Sequence, residues 1–169
     1  MQIAGVVLAA GAGRRYGMAK ALVERDGRLL VRRAAGTLAE AGCTPVLVVV
    51  GARAGDVRAA APELTYVDNP DWAGGMASSL RAGLAALAGT PAAAAVAAPD
   101  ALATGGYAGR RGHPVLLGRD HWAGVAASAT GDRGARDYLR AHAGRVQVVG
   151  VADVADDADL DVPSGAGHA

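Results

Sequence analysis

The residues that decide the fold follow the first apolar run of the chain, and they read Leu8-Ala9-Ala10-Gly11-Ala12-Gly13-Arg14-Arg15-Tyr16-Gly17-Met18-Ala19-Lys20. The run before them, from Ile3 to Leu8, is typical of a buried strand. A glycine turn after such a strand lets backbone N–H groups face a ligand, and nearby cations can neutralise phosphate charge. The stretch therefore predicts a nucleotide site at the end of the first strand, without deciding which nucleotide.

Two common glycine motifs fit this stretch poorly. The spacing Gly11-x-Gly13-x-x-x-Gly17 is close to a dinucleotide-binding turn, but that motif places an acidic residue about twenty positions later, where this chain has Val31 to Arg33. The P-loop spacing, G-x-x-x-x-G-K-[ST], is also absent. A dehydrogenase and an ordinary tight turn with solvated arginines remain as alternatives.

Composition limits the class of protein. The 169 residues fit one domain, and 51% hydrophobic with 20% charged residues indicates a globular chain. A net charge of +1 and 4% aromatic residues argue against a nucleic-acid partner. The single Cys43 excludes an internal disulfide, and we expect a small core residue there rather than a nucleophile. Without an apparent leader or a bilayer-spanning apolar stretch, the sequence predicts a cytoplasmic protein with no membrane partner.

Strand-like and helix-like segments alternate along the chain, which predicts an α/β fold with a mostly parallel sheet and helices on both faces. The predicted strands are 3–8, 46–50, 64–67, 114–117 and 146–151, and the predicted helices are 29–41, 56–61, 78–88 and 135–143. Residues 92–98 fit a strand or a helix, and 105–112 are glycine-rich and basic. Ligands of such sheets bind at the carboxyl ends of the strands. We expect one domain over 1–163 and a disordered tail over 164–169.

Four ordered segments resemble the nucleotidyltransferases related to the molybdenum cofactor cytidylyl- and guanylyltransferases. The first is Leu8-Ala9-Ala10-Gly11-x-Gly13-x-Arg15-x-Gly17-x-x-Lys20, and the second is V-D-N-P-D-W-A-G-G-M-A-S-S-L over residues 67–80. The third is Gly109-Arg110-Arg111-Gly112-His113-Pro114-Val115, and the fourth is Gly131-Asp132-Arg133-Gly134-Ala135-Arg136. The resemblance extends from Met1 to about Pro163, and four ordered motifs are more specific than any one alone.

The resemblance implies a Rossmann-like fold and the metal-assisted transfer of a nucleoside monophosphate from a nucleoside triphosphate to a phosphorylated acceptor such as molybdopterin. Arg15 and Lys20 would stabilise the pyrophosphate leaving group, whereas Arg14 lies outside the signature and is expected to be solvated. Within this family L-A-A-G is similar to the cytidylyl type, so Ala10 favours CTP over GTP. Backbone amides between Ala10 and Gly13 would hold the triphosphate. The loop residues implied to bind the nucleotide are Leu8, Ala9, Ala10, Gly11, Ala12 and Gly13.

The later motifs are implied to hold the rest of the substrates. In the second, Asn69, Gly75 and Ser79 would contact base and ribose, although the same residues are also typical of a turn and a Ser78 helix cap. His113, Asp132 and Arg136 would hold the acceptor. Asp132 could equally cap the helix that includes Arg136.

The resemblance also implies Mg²⁺, held by carboxylates and substrate phosphates. Family members place an Asp, usually followed after one residue by Pro, at the end of a strand after the second motif. Before Gly109 this chain is short by about twenty residues for such a strand, turn and helix, and Asp100 is the only carboxylate in that interval. Either Asp100 substitutes, or a segment within or just after 92–96 is missing. The second expected metal ligand is Asp161, in D-L-D-V-P.

Two further functions stay open at this point. A sugar-phosphate nucleotidyltransferase would use the same phosphate chemistry with a different acceptor region. A non-catalytic nucleotide-binding protein would explain the short interval where the metal ligand is expected.

Overall fold

A computed structural model describes residues 2–14, 16–90, 99–107, 109–151 and 153. The strands are β1 (Gly5–Leu8), β2 (Glu24–Arg25), β3 (Arg28–Leu29), β4 (Val46–Val50), β5 (Thr65–Asp68), β6 (Leu102–Tyr107), β7 (Arg110–Leu117) and β8 (Gln147–Gly150). The α-helices are α1 (Leu30–Glu40), α2 (Ala54–Ala60), α3 (Met76–Ala88), α4 (Arg119–Ser128) and α5 (Arg136–Ala141). Short 3₁₀ turns cover Lys20–Leu22, Trp72–Gly74, Gly131–Arg133 and Ala143–Arg145.

A parallel sheet carries the N-terminal half in the order β1-β4-β5. Its central strand β4 is an unbroken apolar run, and Val48, Val49 and Val50 are each 0% exposed. Strands covered on both faces are typically such runs, because neither face meets water. The predicted strand 46–50 is therefore confirmed residue for residue.

Helices cover both faces of this sheet. Side chains of a strand point alternately to its two faces. Val48 and Val50 pack with Val31 of α1 and Val57 of α2 on one face. On the other face, α3 approaches so closely that a Cβ on Gly83 would lie 2.7 Å from Val6 Cγ1. The predicted α/β arrangement, a parallel sheet between helices, is confirmed.

A second sheet has the order β7-β6-β8, with β6 antiparallel to β7 and parallel to β8. The glycine-rich, basic segment 105–112, for which the sequence predicted no element, contributes to β6 and β7, which pair antiparallel. Its glycines allow close packing: a Cβ on Gly105 would lie 2.5 Å from the His113 carbonyl oxygen, and one on Gly112 would lie 2.8 Å from the Tyr107 ring.

Helix α4 was not predicted from the sequence. Its buried residues are His121 and Val125, too few to give an apolar stripe. His121 is held by its ring nitrogens, which lie 2.8 Å from the Tyr138 hydroxyl and 2.9 Å from the Asp100 carbonyl oxygen. His121 thus ties α4 to Tyr138 of α5.

Other boundaries agree with the predictions within a few residues. Helix α1 is followed by Gly42 at φ +85°, the left-handed conformation typical of a helix end. Helix α3 begins two residues before the predicted position. Residues 92–98 and the tail 164–169 lie outside the described residues. Within the described part of the chain, no helix is both long and apolar enough to cross a membrane.

The close approach of α3 to the sheet gives a stability prediction. We expect Gly83→Ala to lower the free energy of unfolding by about 1–3 kcal/mol, because the added methyl overpacks against Val6. Gly89→Ala is the matched control, since no atom lies within 4 Å of a Cβ at this α3 C-cap, and we expect a change within about 0.5 kcal/mol. Urea denaturation followed by circular dichroism measures both; equal values for the two variants would contradict the packing argument.

Candidate functional site

The glycine loop after β1 is held in place by its backbone. Ala9 N–H donates to the Val49 carbonyl at 2.8 Å, and Ala52 N–H donates to the Ala10 carbonyl at 3.1 Å, so the loop is tied to β4. Gly13 has φ +65°, and a Cβ there would overlap the Met18 carbonyl. Only glycine fits this position without strain.

The loop leaves backbone donors available. Within the described residues, the N–H groups of Gly11, Ala12 and Gly13 donate to no protein acceptor. Consecutive N–H groups in such a turn form a concave site for an anion. The geometry of the loop therefore suits phosphate oxygens.

A cavity of about 400 Å³ opens over this loop. Its size falls within the range of small-molecule sites, about 300–1,000 Å³. It brings together residues of the first, second and fourth motifs. The lining residues are Leu8, Ala10, Gly11, Ala12, Gly13, Arg14, Tyr16, Lys20, Trp72, Ala73, Gly75, Met76, Ser79 and Asp132.

The basic residues of the cavity come from the first motif. Lys20 begins the 3₁₀ turn after the loop and is half-buried. It is the single lysine of the chain, since all other residues among the 17 of Lys and Arg are arginines. Arg14 is exposed, and it also lines the cavity, which the motif did not indicate. Arg15 lies outside the described residues.

Asn69 lies behind the cavity wall. Its side chain is 3% exposed, and its amide nitrogen donates to Ser78 Oγ at 2.9 Å and to Ser79 Oγ at 3.0 Å. Its oxygen accepts from Asp71 N–H at 3.0 Å. Both amide protons are therefore committed within the protein, and Asn69 acts as a brace between the β5 turn and α3. Ser79 itself does line the cavity.

Gly75 and Asp132 join the second motif to the fourth. Gly75 has φ +90°, and a Cβ there would lie 2.6 Å from the Gly131 carbonyl carbon. Met76 N–H, the first of α3, donates to Asp132 Oδ1 at 3.2 Å. Asp132 thus caps α3, not the helix that includes Arg136, so that expectation is wrong. A carboxylate at a helix N-terminus is favoured by the helix dipole.

Ser78 contributes to the same helix start in an unexpected direction. Its hydroxyl donates to the Gly75 carbonyl at 2.8 Å, whereas a cap accepts from a backbone N–H. The predicted Ser78 cap is therefore wrong, and Asp132 supplies the cap from a distant part of the chain.

Among the described residues, the other ones predicted for the acceptor or the metal, His113, Arg136 and Asp100, do not line this cavity. His113 and Arg136 are exposed, on β7 and at the start of α5. Asp100 precedes β6, and its carboxylate lies 3.9 Å from the Arg145 guanidinium. Ala9 packs into the core beside β4.

Metal ligands are sparse in this site. Over the described ranges, no group of three or more His, Cys, Asp or Glu side chains could hold a metal ion. Asp132 is the one carboxylate among the described residues that line the cavity. Asp161 lies outside the described residues. The structure therefore does not bring Asp100 into the site as a metal ligand.

Cys43 is not among the residues that line the cavity. It is half-buried after α1, and burial raises the pKa of its thiol. Because the thiolate is the nucleophilic form, a raised pKa makes Cys43 less reactive at neutral pH. This supports the expectation of a structural residue.

Comparison with known proteins fixes the family. The model of the MobA-like NTP transferase domain matches residues 5–101. The chain belongs to this family. It is also 35% identical to nicotine blue oxidoreductase from Paenarthrobacter nicotinovorans, over 94% of this chain and 92% of that protein. The predicted family and the prediction of a nucleotidyltransferase are thus confirmed at the level of the MobA-like domain.

Solved structures agree with the fold of this MobA-like protein. Rv0371c from Mycobacterium tuberculosis has a TM-score of 0.64 and 27% identity, with 89% of each chain covered. A manganese complex of Rv0371c superposes with a TM-score of 0.61. A nucleotidyl transferase from Methanothermobacter has a TM-score of 0.71 at 22% identity, covering 89% of this chain and 87% of that one.

The aligned length with the Paenarthrobacter relative is informative in itself. It spans 187 residues, more than the 169 of this chain, so the relative contains residues that have no counterpart here. This supports the inference from the sequence that the MobA-like chain is short of a segment. Among the described residues that line the cavity, only Asp132 supplies a carboxylate.

Besides Arg14 and Ala73, three large uncharged residues of the cavity wall were not predicted as site residues. Tyr16, Trp72 and Met76 all lie inside the quoted motifs and line the cavity. Large side chains are rare here, with 4% aromatic residues in the chain. A tryptophan inside a motif of a chain this poor in aromatic residues was the sequence signal that could have indicated a cavity residue.

The Asp132 cap gives a prediction that separates hydrogen bonding from charge. We expect Asp132→Ala to lower the free energy of unfolding by about 1 kcal/mol, because the Met76 N–H loses its acceptor. Asp132→Asn retains an oxygen acceptor and should lose only a few tenths of a kcal/mol, from the missing charge at the helix end. Urea denaturation of the three proteins measures this. The cap is refuted if Asn and Ala lose the same amount.

Proposed function

We propose that this protein transfers a cytidine monophosphate group from CTP to a phosphorylated small-molecule acceptor such as molybdopterin and releases pyrophosphate. The observation that carries the proposal is a cavity lined by Lys20, by Arg14 and by loop residues 11–13, whose N–H groups donate to no acceptor among the described residues. The choice of CTP over GTP is supported by Ala10, which is 4% exposed at the cavity wall. The proposal for the acceptor rests on the family alone.

Nucleotidyl transfer requires the protein mainly to position the two substrates and to stabilise the charge that develops. A phosphate oxygen of the acceptor attacks the α-phosphorus of CTP, and the bond to the bridging oxygen breaks, so that pyrophosphate leaves. The attacking phosphate is already anionic and needs no general base. Charge builds on the leaving group, and fixed donors and cations directed at it lower the barrier. The loop N–H groups, Lys20 and Arg15 are proposed for this role.

The donor set suits a divalent cation, but the described residues supply only one carboxylate to it. Mg²⁺ typically binds through one or two carboxylates together with substrate phosphates. Asp132, which has one oxygen outside its cap, and the triphosphate would hold it, with Asp161 as a proposed second carboxylate. When bound, the ion would neutralise phosphate charge. The manganese complex of Rv0371c supports a divalent cation, and Mg²⁺ is our choice among them.

Lys20 provides the direct test of this proposal. We expect wild-type protein with CTP, Mg²⁺ and molybdopterin to release pyrophosphate, and Lys20→Ala to lower the rate at least about 100-fold, as is typical for a lost transition-state donor. Arg53→Ala is the matched control, since Arg53 is exposed, pairs with Asp56 and does not line the cavity. A coupled pyrophosphate assay measures all three, with and without EDTA.

The outcomes separate several possibilities. Wild-type-like turnover in Lys20→Ala would remove Lys20 from the mechanism. Turnover with sugar 1-phosphates, but not with molybdopterin, would support a sugar-phosphate nucleotidyltransferase. Tight CTP binding in calorimetry, without turnover by any acceptor at saturating Mg²⁺, would support a non-catalytic nucleotide-binding protein.

A second function is favoured by one observation, the 35% identity to a protein named as an oxidoreductase. The loop N–H groups could hold the pyrophosphate of a nicotinamide dinucleotide, and hydride transfer to an oxidised aromatic acceptor would not need the sparse carboxylates. Under this proposal, NADH or NADPH with nicotine blue loses its reduced-nicotinamide absorbance when the protein is added. CTP would then compete with the dinucleotide for the cavity. No oxidation above the protein-free rate, together with pyrophosphate release from CTP, rules it out.

A further inference from the structure

Trp72 and Ala10 line the cavity, and Gly51, which is not among the lining residues, lies against both of them. Gly51 follows β4, and a Cβ built on it would lie 2.8 Å from Trp72 Cγ and 3.0 Å from Ala10 Cβ. Both side chains therefore lie against the same small space, and they are neighbours. The absence of a side chain at Gly51 is what lets the indole lie this close to the loop.

The indole is available to a ligand. Trp72 is half-buried, and its N–H makes no hydrogen bond to any other described residue. Its turn is fixed from behind, since Asp71 N–H is held by the buried Asn69 side chain at 3.0 Å. A rigidly placed aromatic face at the wall of a nucleotide cavity suits a flat ring, because stacking on an aromatic side chain is favourable for every base.

The groups of the cavity that suit phosphate and the indole of Trp72 come from different motifs. The donors that suit phosphate are the loop N–H groups and the cations of the first motif, whereas Trp72 comes from the second motif. Ala10 connects the two, since it opens the loop and its methyl lies beside the indole. A ligand with its phosphates on the loop would meet Trp72 with its other, uncharged end.

We propose that Trp72 is the residue that contacts the nucleobase, and that Trp72 and Ala10 together, placed by Gly51, limit the size of base that the cavity accepts. This inference rests on the proposed nucleotide function. It adds a specificity-determining residue to it, and it predicts a preference for one-ring over two-ring bases that depends on both side chains.

The chain offers a direct spectroscopic test, because it has two tryptophans. In Trp122→Phe, Trp72 is the sole tryptophan, and we expect CTP to change its fluorescence with saturation. In Trp72→Phe, Trp122 is the sole tryptophan and lies on α4, bonded to the Leu117 carbonyl at 2.9 Å, so we expect no change. Tripolyphosphate, which has no base, should bind to the Trp122→Phe protein with little fluorescence change.

Binding measurements test the specificity. We expect Trp72→Ala to weaken CTP binding about tenfold, the size of a lost base–aromatic stack, and tripolyphosphate binding by less than about twofold. Gly51→Ala should act in the same direction, since its methyl displaces the indole. Ala10→Gly and Trp72→Ala should each raise GTP affinity relative to CTP, and the double variant should differ from the sum of the two, because the side chains are neighbours.

The outcomes keep this inference apart from the proposed function. If wild-type protein binds tripolyphosphate but no nucleotide, the proposed function fails. If CTP binds and leaves Trp72 fluorescence unchanged, or if Trp72→Ala weakens CTP and tripolyphosphate equally, the assignment of Trp72 is overturned. A folded Trp72→Phe protein with unchanged CTP-to-GTP preference, alongside an unchanged preference in Gly51→Ala, overturns the role in specificity.

Discussion

The parallel pairing of β1 with β4 and of β4 with β5 is the constraint on which the site depends. Three fully buried valines at the carboxyl end of β4 leave this strand no other place than between helices. Parallel pairing then puts the carboxyl ends of the three strands at one edge. The glycine loop, Gly51 and the Asn69 turn follow those ends in turn. The loop and the residues after the Asn69 turn line one cavity, and Gly51 lies against Ala10 and Trp72 of its wall.

Hydrogen bonds, rather than packing, fix the positions of the glycine loop and the β5 turn at that edge. The loop is bonded to β4 through the carbonyls of Val49 and Ala10. The β5 turn is bonded to α3 through the buried amide of Asn69. A buried amide with its protons satisfied is costly to disrupt, because any rearrangement leaves a donor unpaired. The second motif is therefore as much a framework for the site as a part of its surface.

The sequence predicted well what is decided locally. The run 46–50 could only be a covered strand, and Gly42 could end a helix because it tolerates a positive φ. It predicted poorly what is decided across the fold. Asp132 caps a helix that begins 56 residues earlier, and no local pattern shows that partner. The glycine-rich, basic stretch 105–112 predicted no element, whereas its glycines let two strands and an aromatic ring approach closely.

The site itself divides in the same way. The glycine loop could be predicted as a site from residues in one stretch, because its glycines and cations lie close together along the chain, and a cavity opens over it. The indole wall could not, since it requires Gly51 and Trp72 to meet from different strands. The carboxylates could not either, because Asp100 has the expected residue type but lies before β6 beside Arg145.

The charge of Asp132 constrains how a nucleotide can lie in this cavity. The N-terminus of α3 would attract phosphate by its dipole, but Asp132 already occupies it. A second anion placed there would meet this carboxylate at close range. Under the proposed function, the triphosphate therefore lies on the loop N–H groups and near Lys20, and a divalent cation between its phosphates and Asp132 would offset this repulsion. A nucleotide with its phosphates on the loop would place its base against the uncharged part of the cavity wall. Trp72 and Ala10 line that part of the wall.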